Sequence, residues 1–338
     1  MNTIKKLLTY EELTSFEELY KSHKVARKCK RHKYATIEFE NNLFTNLSKL
    51  ENELKNGTYQ VGKYKTFYIY EPKKREIQAL GYKDRIVQHS LCDNFLIPYF
   101  DKRLIYANCA CRIGKGTFFA RKLLKKYYVE FYKKYKTNGY VLKCDIRKYF
   151  ANIDHQVLKK LLDNIKDKKC VELLHIIIDS YHKNLGIGLP IGNQVSQIMG
   201  VVYLDKIDRL IKEKLHIKYY VRYMDDLVLI SSCKQELKNC LCEIKNCLLS
   251  LKLELNNKTN ITPLKQNLEF LGAIYHVGNN GKIYLRVKPK TKVRFKRAYN
   301  LSRYANKNSH YKQMLIAGMK GHLKGFDINL QKMLAPVA

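Results

Sequence analysis

The fold of this chain is decided by one stretch, Tyr219-Tyr220-Val221-Arg222-Tyr223-Met224-Asp225-Asp226-Leu227-Val228-Leu229-Ile230. Two short apolar runs, 219–222 and 227–230, flank an acidic centre, which predicts two strands joined by a tight hairpin. Adjacent carboxylates repel each other, so burying Asp225 beside Asp226 is costly unless a cation lies between them. The stretch therefore predicts a hairpin whose tip holds a metal ion. The alternative is a solvated turn, in which Asp is common.

A third carboxylate ends another predicted strand. Residues 140–145 form a short apolar run that closes on Asp145. Enzymes of phosphoryl transfer to nucleic acids use two divalent ions about 4 Å apart, one activating a hydroxyl and one holding a triphosphate. Three carboxylates on neighbouring strands can hold both ions. We therefore predict that Asp145, Asp225 and Asp226 bind two Mg²⁺, with Mn²⁺ as a possible replacement.

The overall charge of the chain indicates a polyanionic partner. Its 338 residues include 64 Lys+Arg and 30 Asp+Glu, a formal net charge of +34. Nucleic acid is the leading candidate, followed by an anionic membrane surface and then by acidic proteins. A hydrophobic fraction of 46% predicts a folded core and argues against disorder.

The compartment is predicted from what the sequence lacks. No run approaches the roughly 20 apolar residues of a spanning helix, and the first residues do not form a signal core. Ten cysteines occur without a Cys-x-x-Cys pair, which predicts reduced thiols. We expect a cytoplasmic protein with no membrane partner.

Hydrophobic periodicity predicts an alternation of helices and strands. Helical spacing covers 35–56 and returns over 84–134, and a hairpin with a basic tip lies between these segments. Strands and helices alternate through the middle of the chain. From about 284 to the end the sequence is basic, and we predict that it is helical.

Five short motifs follow one another in a fixed order: Asp145 to Phe150, Gly192 to Gln197, Tyr223 to Asp226, Lys258-Thr259, and Phe270-Leu271-Gly272. In this order and spacing, residues 35–275 resemble the reverse transcriptases. Arg75, nine residues before Asp84, is similar to an arginine in the fingers of the bacterial enzymes. Any one of these motifs would be a weak signal, whereas the ordered set is specific.

The resemblance implies an α+β fold of the right-hand polymerase type and RNA-directed DNA polymerase activity. The implied organisation is a basic N-terminal extension (1–34), fingers (35–139), a palm with an antiparallel sheet (140–275) and a helical thumb (276–338). An RNase H or DNA endonuclease module is not expected after the thumb. The implied partners are deoxynucleoside triphosphates, a primer and template RNA, in particular a dedicated noncoding RNA, together with an accessory protein.

The resemblance also implies roles for individual residues. The backbone carbonyl of Ile146 completes the metal shell formed by the three aspartates, and Lys258 protonates the departing pyrophosphate. The implied nucleotide-binding residues are Lys73, Lys74, Arg75, Phe150, Ile191 and Gly192. The implied nucleic-acid-binding residues are Arg112, Lys115, Phe270, Leu271, Gly272, Lys288, Lys292 and Arg294. The alternatives are a core aromatic for Phe150 and a solvated lysine for Lys258.

The second motif narrows the resemblance. Ile191-Gly192 followed by Ser196-Gln197 is similar to the pattern of reverse transcriptases from diversity-generating retroelements, in which it implies error-prone copying opposite adenine. Enzymes of bacterial phage-defence systems share much of this pattern, so antiviral defence stays open as a role. An RNA-templated RNA polymerase is a third candidate, and a catalytically idle RNA-binding scaffold or maturase-like protein is a fourth. Three retained carboxylates argue against the idle scaffold, because an inactive site has no need of mutually repelling charges.

Overall fold

The computed structural model of this protein describes residues 6–70, 74–181, 185–304, 310–323 and 326. Within these ranges, no helix is long and apolar enough to cross a membrane. Helices and strands alternate along the chain, and the paired strands are antiparallel.

The chain begins with four helices: α1 (Tyr10–Leu13), α2 (Phe16–Ala26), α3 (Tyr34–Asn41) and α4 (Leu43–Lys55). Leu47, Leu50 and Leu54 are buried on one face of α4, as their spacing predicts. The helix predicted over 35–56 is interrupted at Asn42, whose backbone is not helical (φ −128°, ψ 46°). One amphipathic pattern therefore became two helices.

A two-stranded hairpin and a second group of helices follow. The hairpin pairs β1 (Lys65–Ile69) with β2 (Arg75–Ala79), and Ile69 lies opposite Arg75 at the end nearest the turn. The helices are α5 (Tyr82–Leu91), a π-helical turn (Cys92–Leu96), α6 (Ile97–Asp101) and α7 (Thr117–Tyr135). This confirms the predicted hairpin, although residues 71–73 of its tip lie outside the described ranges.

A four-stranded antiparallel sheet forms the centre of the molecule, in the order β4-β5-β3-β6. In chain order its region comprises β3 (Tyr140–Asp145), a 3₁₀ turn (Tyr149–Ala151), α8 (His155–Leu162), α9 (Lys168–Asp179), α10 (Gln194–Tyr203), α11 (Asp205–Arg209), a π-helical turn (Leu210–Lys214), β4 (Tyr219–Tyr223), β5 (Asp226–Ser231), α12 (Lys234–Ser250) and β6 (Asn260–Pro263). The strand predicted at 140–145 and the hairpin predicted at 219–230 are confirmed.

This sheet is buried on both faces, which explains why its strands are continuously apolar. Successive residues of a strand point to opposite faces. Leu227 and Leu229 enter one core with Tyr203 of α10 and Ile244 of α12. Val228 and its alternate neighbours enter the other core, against α7 and a second sheet.

The second sheet has three strands, β7 (Leu268–Phe270), β8 (Ala273–Val277) and β9 (Ile283–Val287), in the order β7-β8-β9. Two basic helices follow, α13 (Pro289–Tyr304) and α14 (His310–Leu323). The prediction that the chain is helical from about 284 is wrong at its start, because Ile283–Val287 pairs with Ala273–Val277. The predicted boundary between palm and thumb, at residue 275, falls inside β8.

Candidate active site

The three aspartates meet at one end of the central sheet. In the ladder between β3 and β5, Asp145 lies directly opposite Asp226. In the neighbouring ladder Tyr223 lies opposite Asp226, which leaves Met224 and Asp225 as a two-residue turn. Met224 has φ +53°, a conformation that L-residues adopt at a cost and that such turns require. The hairpin therefore holds Asp225 at the sheet edge, beside two carboxylates.

The charges of this cluster are poorly compensated. The pKa of Asp225 is raised to about 6, chiefly by burial and also by the Asp226 and Asp145 carboxylates, while its own backbone and Arg75 oppose the rise. Burial also raises the pKa of Asp226, which Lys143 counteracts from 3.9 Å, Nζ to Oδ1. A cation would stabilise both ionised carboxylates.

The chemistry of the donor set, three carboxylates, suits hard divalent cations. In the described part of the chain, no three His, Cys, Asp or Glu side chains already surround a single point as metal ligands. A two-ion site does not require such a group, because the ions share carboxylates and complete their shells with substrate oxygens and water. Ile146, which follows Asp145, forms an isolated bridge with Leu255. Its carbonyl stays a predicted ligand.

A buried arginine supports the acidic hairpin from behind, and the sequence motifs did not identify it. Arg222 and Asp208 are both fully buried and form a two-point ion pair, with Nε–Oδ1 at 2.7 Å and Nη2–Oδ2 at 2.6 Å. Arg222 also donates from Nη1 to the Met224 carbonyl (3.1 Å) and from Nη2 to the Val201 carbonyl (3.0 Å). Burial alone would lower the pKa of Arg222, but Asp208 raises it above its ordinary value. The guanidinium is therefore a permanent clamp between α10, α11 and the turn.

A cleft of about 950 Å³ opens in front of the hairpin tip. It brings together residues that are far apart in the sequence. Its lining includes Lys74, Arg75, Gln78, Lys148, Phe150, Ile191, Gln197, Asp225, Asp226 and Leu271. Most of these were predicted as site residues from the motifs. Lys148, which was not predicted, is exposed there with φ +44°.

The second motif joins the cleft to the β1–β2 hairpin. Gln78 of β2 donates its backbone N–H to the Ile191 carbonyl at 3.0 Å. Gly192 has φ +126°, and a Cβ at this position would lie 2.9 Å from Cγ2 of Ile77. Gly192 is therefore required by close packing against β2, which keeps Ile191 at the cleft wall.

The fifth motif forms the turn between β7 and β8. Phe270 is fully buried and pairs with Ala273, so Leu271 and Gly272 form a two-residue turn in which both have positive φ. Leu271 reaches the cleft, whereas Phe270 belongs to the core beneath it. A contact of Phe270 with nucleic acid is not supported, since its ring is inaccessible.

The fourth motif packs beneath the acidic cluster. Thr259 accepts a hydrogen bond on Oγ1 from the Asp145 backbone N–H (3.3 Å), and the Asn256 N–H donates to the Asp145 carbonyl (2.7 Å). Lys258, between them, is exposed and does not line the cleft. Its role as a general acid stays a prediction. Lys73 lies outside the described residues.

Two of the predicted nucleic-acid-binding residues, Arg112 and Lys115, make contacts within the protein. Arg112 donates from Nε to Asp101 (2.6 Å) and from its other nitrogens to the backbone carbonyls of Asp101, Leu104, Ile105 and Asn108. Lys115 donates to the Tyr106 carbonyl at 2.7 Å, and burial together with Arg112 lowers its pKa to about 8. The guanidinium of Arg112 organises this loop, and a nucleic-acid-binding role for Arg112 and Lys115 stays a prediction.

Three further predicted nucleic-acid-binding residues, Lys288, Lys292 and Arg294, follow β9 in the chain. Lys288 forms an ion pair with Glu269. Lys292 is exposed on α13, and the guanidinium carbon of Arg294 lies 5.4 Å from the ring centroid of Phe295. None of the three lines the cleft.

Comparison with known proteins identifies the family. Residues 72–275 match the family described as "Reverse transcriptase (RNA-dependent DNA polymerase)". This chain belongs to the reverse transcriptase family. The matched segment contains the acidic cluster, the cleft and the Arg222 clamp. The residues that the family model matches are therefore the ones that form the candidate site.

Two curated relatives of this reverse transcriptase are intron proteins. The group II intron-encoded protein LtrA of Lactococcus lactis subsp. cremoris is 24% identical over an alignment of 179 residues that covers 49% of this chain and 28% of LtrA. A putative COX1/OXI3 intron 2 protein of Saccharomyces cerevisiae is 33% identical over 85 residues, 22% of this chain and 10% of that protein. The matched segments span less than a third of either relative.

Solved structures support the fold of most of the chain. The apo telomerase of Candida tropicalis aligns with a TM-score of 0.53 and 15% identity over 78% of this chain and 53% of that one. The same telomerase truncated from its C-terminal domain aligns with a TM-score of 0.51 and 15% identity, over 68% of this chain and 55% of that one. At this identity the likeness shows the fold alone, and it confirms the predicted α+β right-hand polymerase fold.

Proposed function

We propose that this protein is an RNA-directed DNA polymerase, a nucleotidyltransferase that extends a primer on an RNA template. The observation that carries the proposal is the meeting of Asp145, Asp225 and Asp226 at the edge of a cleft that also contains Arg75 and Phe150. Poorly compensated buried carboxylates in a cleft are typical of functional sites. The family match and the charge of +34 support nucleic acid as substrate.

Each residue of the cleft has a separate task in this proposal. The three carboxylates would hold two Mg²⁺, and when bound these ions would activate the primer hydroxyl and stabilise the charge of the leaving group. Arg75 pairs with triphosphate oxygens through its guanidinium fork. The ring of Phe150 fills the space that a 2′-hydroxyl would need, so it excludes ribonucleotides and leaves room for deoxynucleotides. Leu271 meets the primer strand.

A second cation near the triphosphate is assigned to Lys148. The ammonium of Lys74 lies 4.9 Å from the ring centroid of Tyr68, which holds it toward the hairpin. Lys148 is exposed at the cleft wall, two residues before Phe150. Its charge is therefore available to an anionic ligand in the same cavity.

The biological role we propose is error-prone copying within a diversity-generating retroelement. Ile191 supports this role, because its apolar side chain lines the cleft and offers no polar contact to a bound nucleotide or template. Template RNA, a dedicated noncoding RNA and an accessory protein are the proposed macromolecular partners. Phage defence with such an RNA is the alternative that the product sequences test.

Primer extension tests the activity directly. The purified protein is given an RNA template, a primer, Mg²⁺ or Mn²⁺, and either deoxynucleotides or ribonucleotides. We expect incorporation of deoxynucleotides that Asp225→Asn abolishes and chelation of the metal prevents. Asp163→Asn is the matched control, since Asp163 is an exposed carboxylate at the end of α8.

The products also test the narrower proposal. Misincorporation concentrated opposite template adenine supports the retroelement role, and uniform accuracy at all four bases favours the defence alternative. If neither the wild type nor Asp163→Asn extends a primer, with co-purified RNA restored, the idle RNA-binding scaffold becomes the better account.

A further inference from the structure

A glycine inside α10 lies directly behind the ring of Phe150. Gly200 is buried, and a Cβ built on it would lie 3.1 Å from both Cε1 and Cζ of Phe150. The same Cβ would lie 3.5 Å from Cε1 of Tyr149. Carbon atoms in ordinary contact are about 3.5–4.0 Å apart, so only glycine leaves the ring its present place.

Glycine at this position lowers the stability of the helix, which indicates that packing requires it. Gly200 is the seventh of the ten residues of α10, and glycine in a helix interior is less favourable than alanine. Its neighbours Met199 and Val201 are buried, with 0% and 2% exposure. The helix is therefore fixed against the core, and the atoms nearest to the missing methyl group belong to Phe150 and Tyr149.

Both rings of the first motif contact this one turn of helix. Tyr149 is buried and donates from Oη to the Gly200 carbonyl. Phe150 follows it, with the ring centroids 5.4 Å apart and the planes at 64°. The Phe150 carbonyl accepts from the Leu189 N–H at 2.7 Å, which fixes the backbone as well. The ring of Phe150 thus has a fixed base, a fixed back wall and one open side, toward the cleft.

We propose that Gly200 is a positioning residue that sets how far the Phe150 ring projects toward the nucleotide sugar, and so sets the discrimination between deoxynucleotides and ribonucleotides. This inference rests on the proposed function. A methyl group at 200 would push the ring toward the cleft, because the edge of a half-buried side chain moves more readily than a core helix. The space beside the 2′ position of the sugar then becomes smaller.

Gly200→Ala tests the inference through the ratio of kcat/KM for a deoxynucleotide to kcat/KM for the matching ribonucleotide. We measure kcat/KM for one deoxynucleotide and the matching ribonucleotide in wild type, Gly200→Ala, Phe150→Ala and the double variant. Gly200→Ala is expected to raise the deoxynucleotide-to-ribonucleotide ratio by about threefold to tenfold, since a misplacement of about 1 Å costs on the order of 10²-fold and the ring moves by only part of that distance. In the Phe150→Ala background the same change should leave the ratio unaltered, because no ring remains to be moved.

A merely structural effect gives a different result. Partial unfolding lowers the active fraction for both nucleotides equally and leaves the ratio unchanged. Gly318→Ala is the matched control, since Gly318 is exposed in α14 and a Cβ there would meet nothing within 4 Å. If Gly200→Ala is too slow to measure, Phe150→Leu in the same chain should restore deoxynucleotide incorporation.

The outcomes separate the inference from the proposed function. An unchanged ratio in Gly200→Ala, in a chain where Phe150→Ala does admit ribonucleotides, overturns the inference and leaves the polymerase intact. Absence of rescue by Phe150→Leu in an inactive Gly200→Ala overturns it as well. A wild type that extends no primer overturns the proposed function, and the inference with it.

Discussion

The two sides of the acidic hairpin at 219–230 differ in how their charges are compensated. Behind the turn, Arg222 and Asp208 are fully buried and bound to each other at two points, and Tyr220 and Asn108 also donate to the Asp208 carboxylate. In front of it, three carboxylates share one sheet edge, and burial and mutual repulsion raise the pKa of Asp225 to about 6. Removing one partner of a buried ion pair leaves a buried charge and destabilises the fold, whereas poorly compensated carboxylates beside a cleft are typical of a functional site.

The largest expected effect comes from removing a charge on the front side. Asp145→Asn should lower primer extension by about 10³-fold or more, because a bound metal contributes several kcal/mol to the transition state. The midpoint of thermal unfolding should stay unchanged or rise, since one source of repulsion is lost. A large fall in unfolding temperature would show that the carboxylate is structural, and would contradict the contrast between the two sides.

Removing one partner on the back side should have the opposite signature. Arg222→Met leaves the Asp208 carboxylate buried without a counter-charge, so the free energy of unfolding should fall by about 3–5 kcal/mol in urea denaturation. Combining it with Asp208→Asn should recover part of this loss, because no buried charge is then left alone. Arg209→Met is the control: that arginine is 43% exposed and pairs with Asp205 and Glu213, and its loss should cost less than about 1 kcal/mol.

Arg75 is the exposed counterpart of Arg222, and it should act on binding alone. Arg75→Ala should raise KM for the deoxynucleotide by about 10- to 100-fold, since hydrogen bonds to charged groups contribute about 1.5–3 kcal/mol. Arg75→Lys should recover only part of this, because an ammonium lacks the two-point fork. Lys65→Ala removes a charge from the same β1–β2 hairpin outside the cleft, and an equal rise in KM there would point to a general field effect.

The smallest effect concerns Lys115, a half-buried cation beside Arg112. Its pKa is lowered to about 8, so between about pH 8 and the ordinary lysine value the unfolded chain binds the proton and the folded chain does not. Stability associated with this group should therefore rise with pH across that window. The check is urea denaturation at several pH values with Lys115→Met, in which that part of the rise should be missing. Parallel curves for the two proteins would refute it.

The sequence alone predicted the parts of this molecule that depend on local pattern. The hairpin at 219–230 and the strand at 140–145 followed from apolar runs bounded by acidic residues, and the three aspartates followed from where those runs end. Period-2 and period-3.6 patterns are contained within a short window, which is why they can be recognised without a structure. The order of the motifs added the family.

Only the tertiary structure decided which distant groups meet. It paired Arg222 with Asp208, turned Arg112 inward onto Asp101, and placed Gly200 behind Phe150, all across separations that periodicity does not reach. It also made Ile283–Val287 a strand, because a partner in β8 was available to receive its backbone hydrogen bonds. Local composition limits which secondary structure a segment can form. Burial against a particular partner determines whether its charged residues and glycines serve packing, ion pairing or ligand binding.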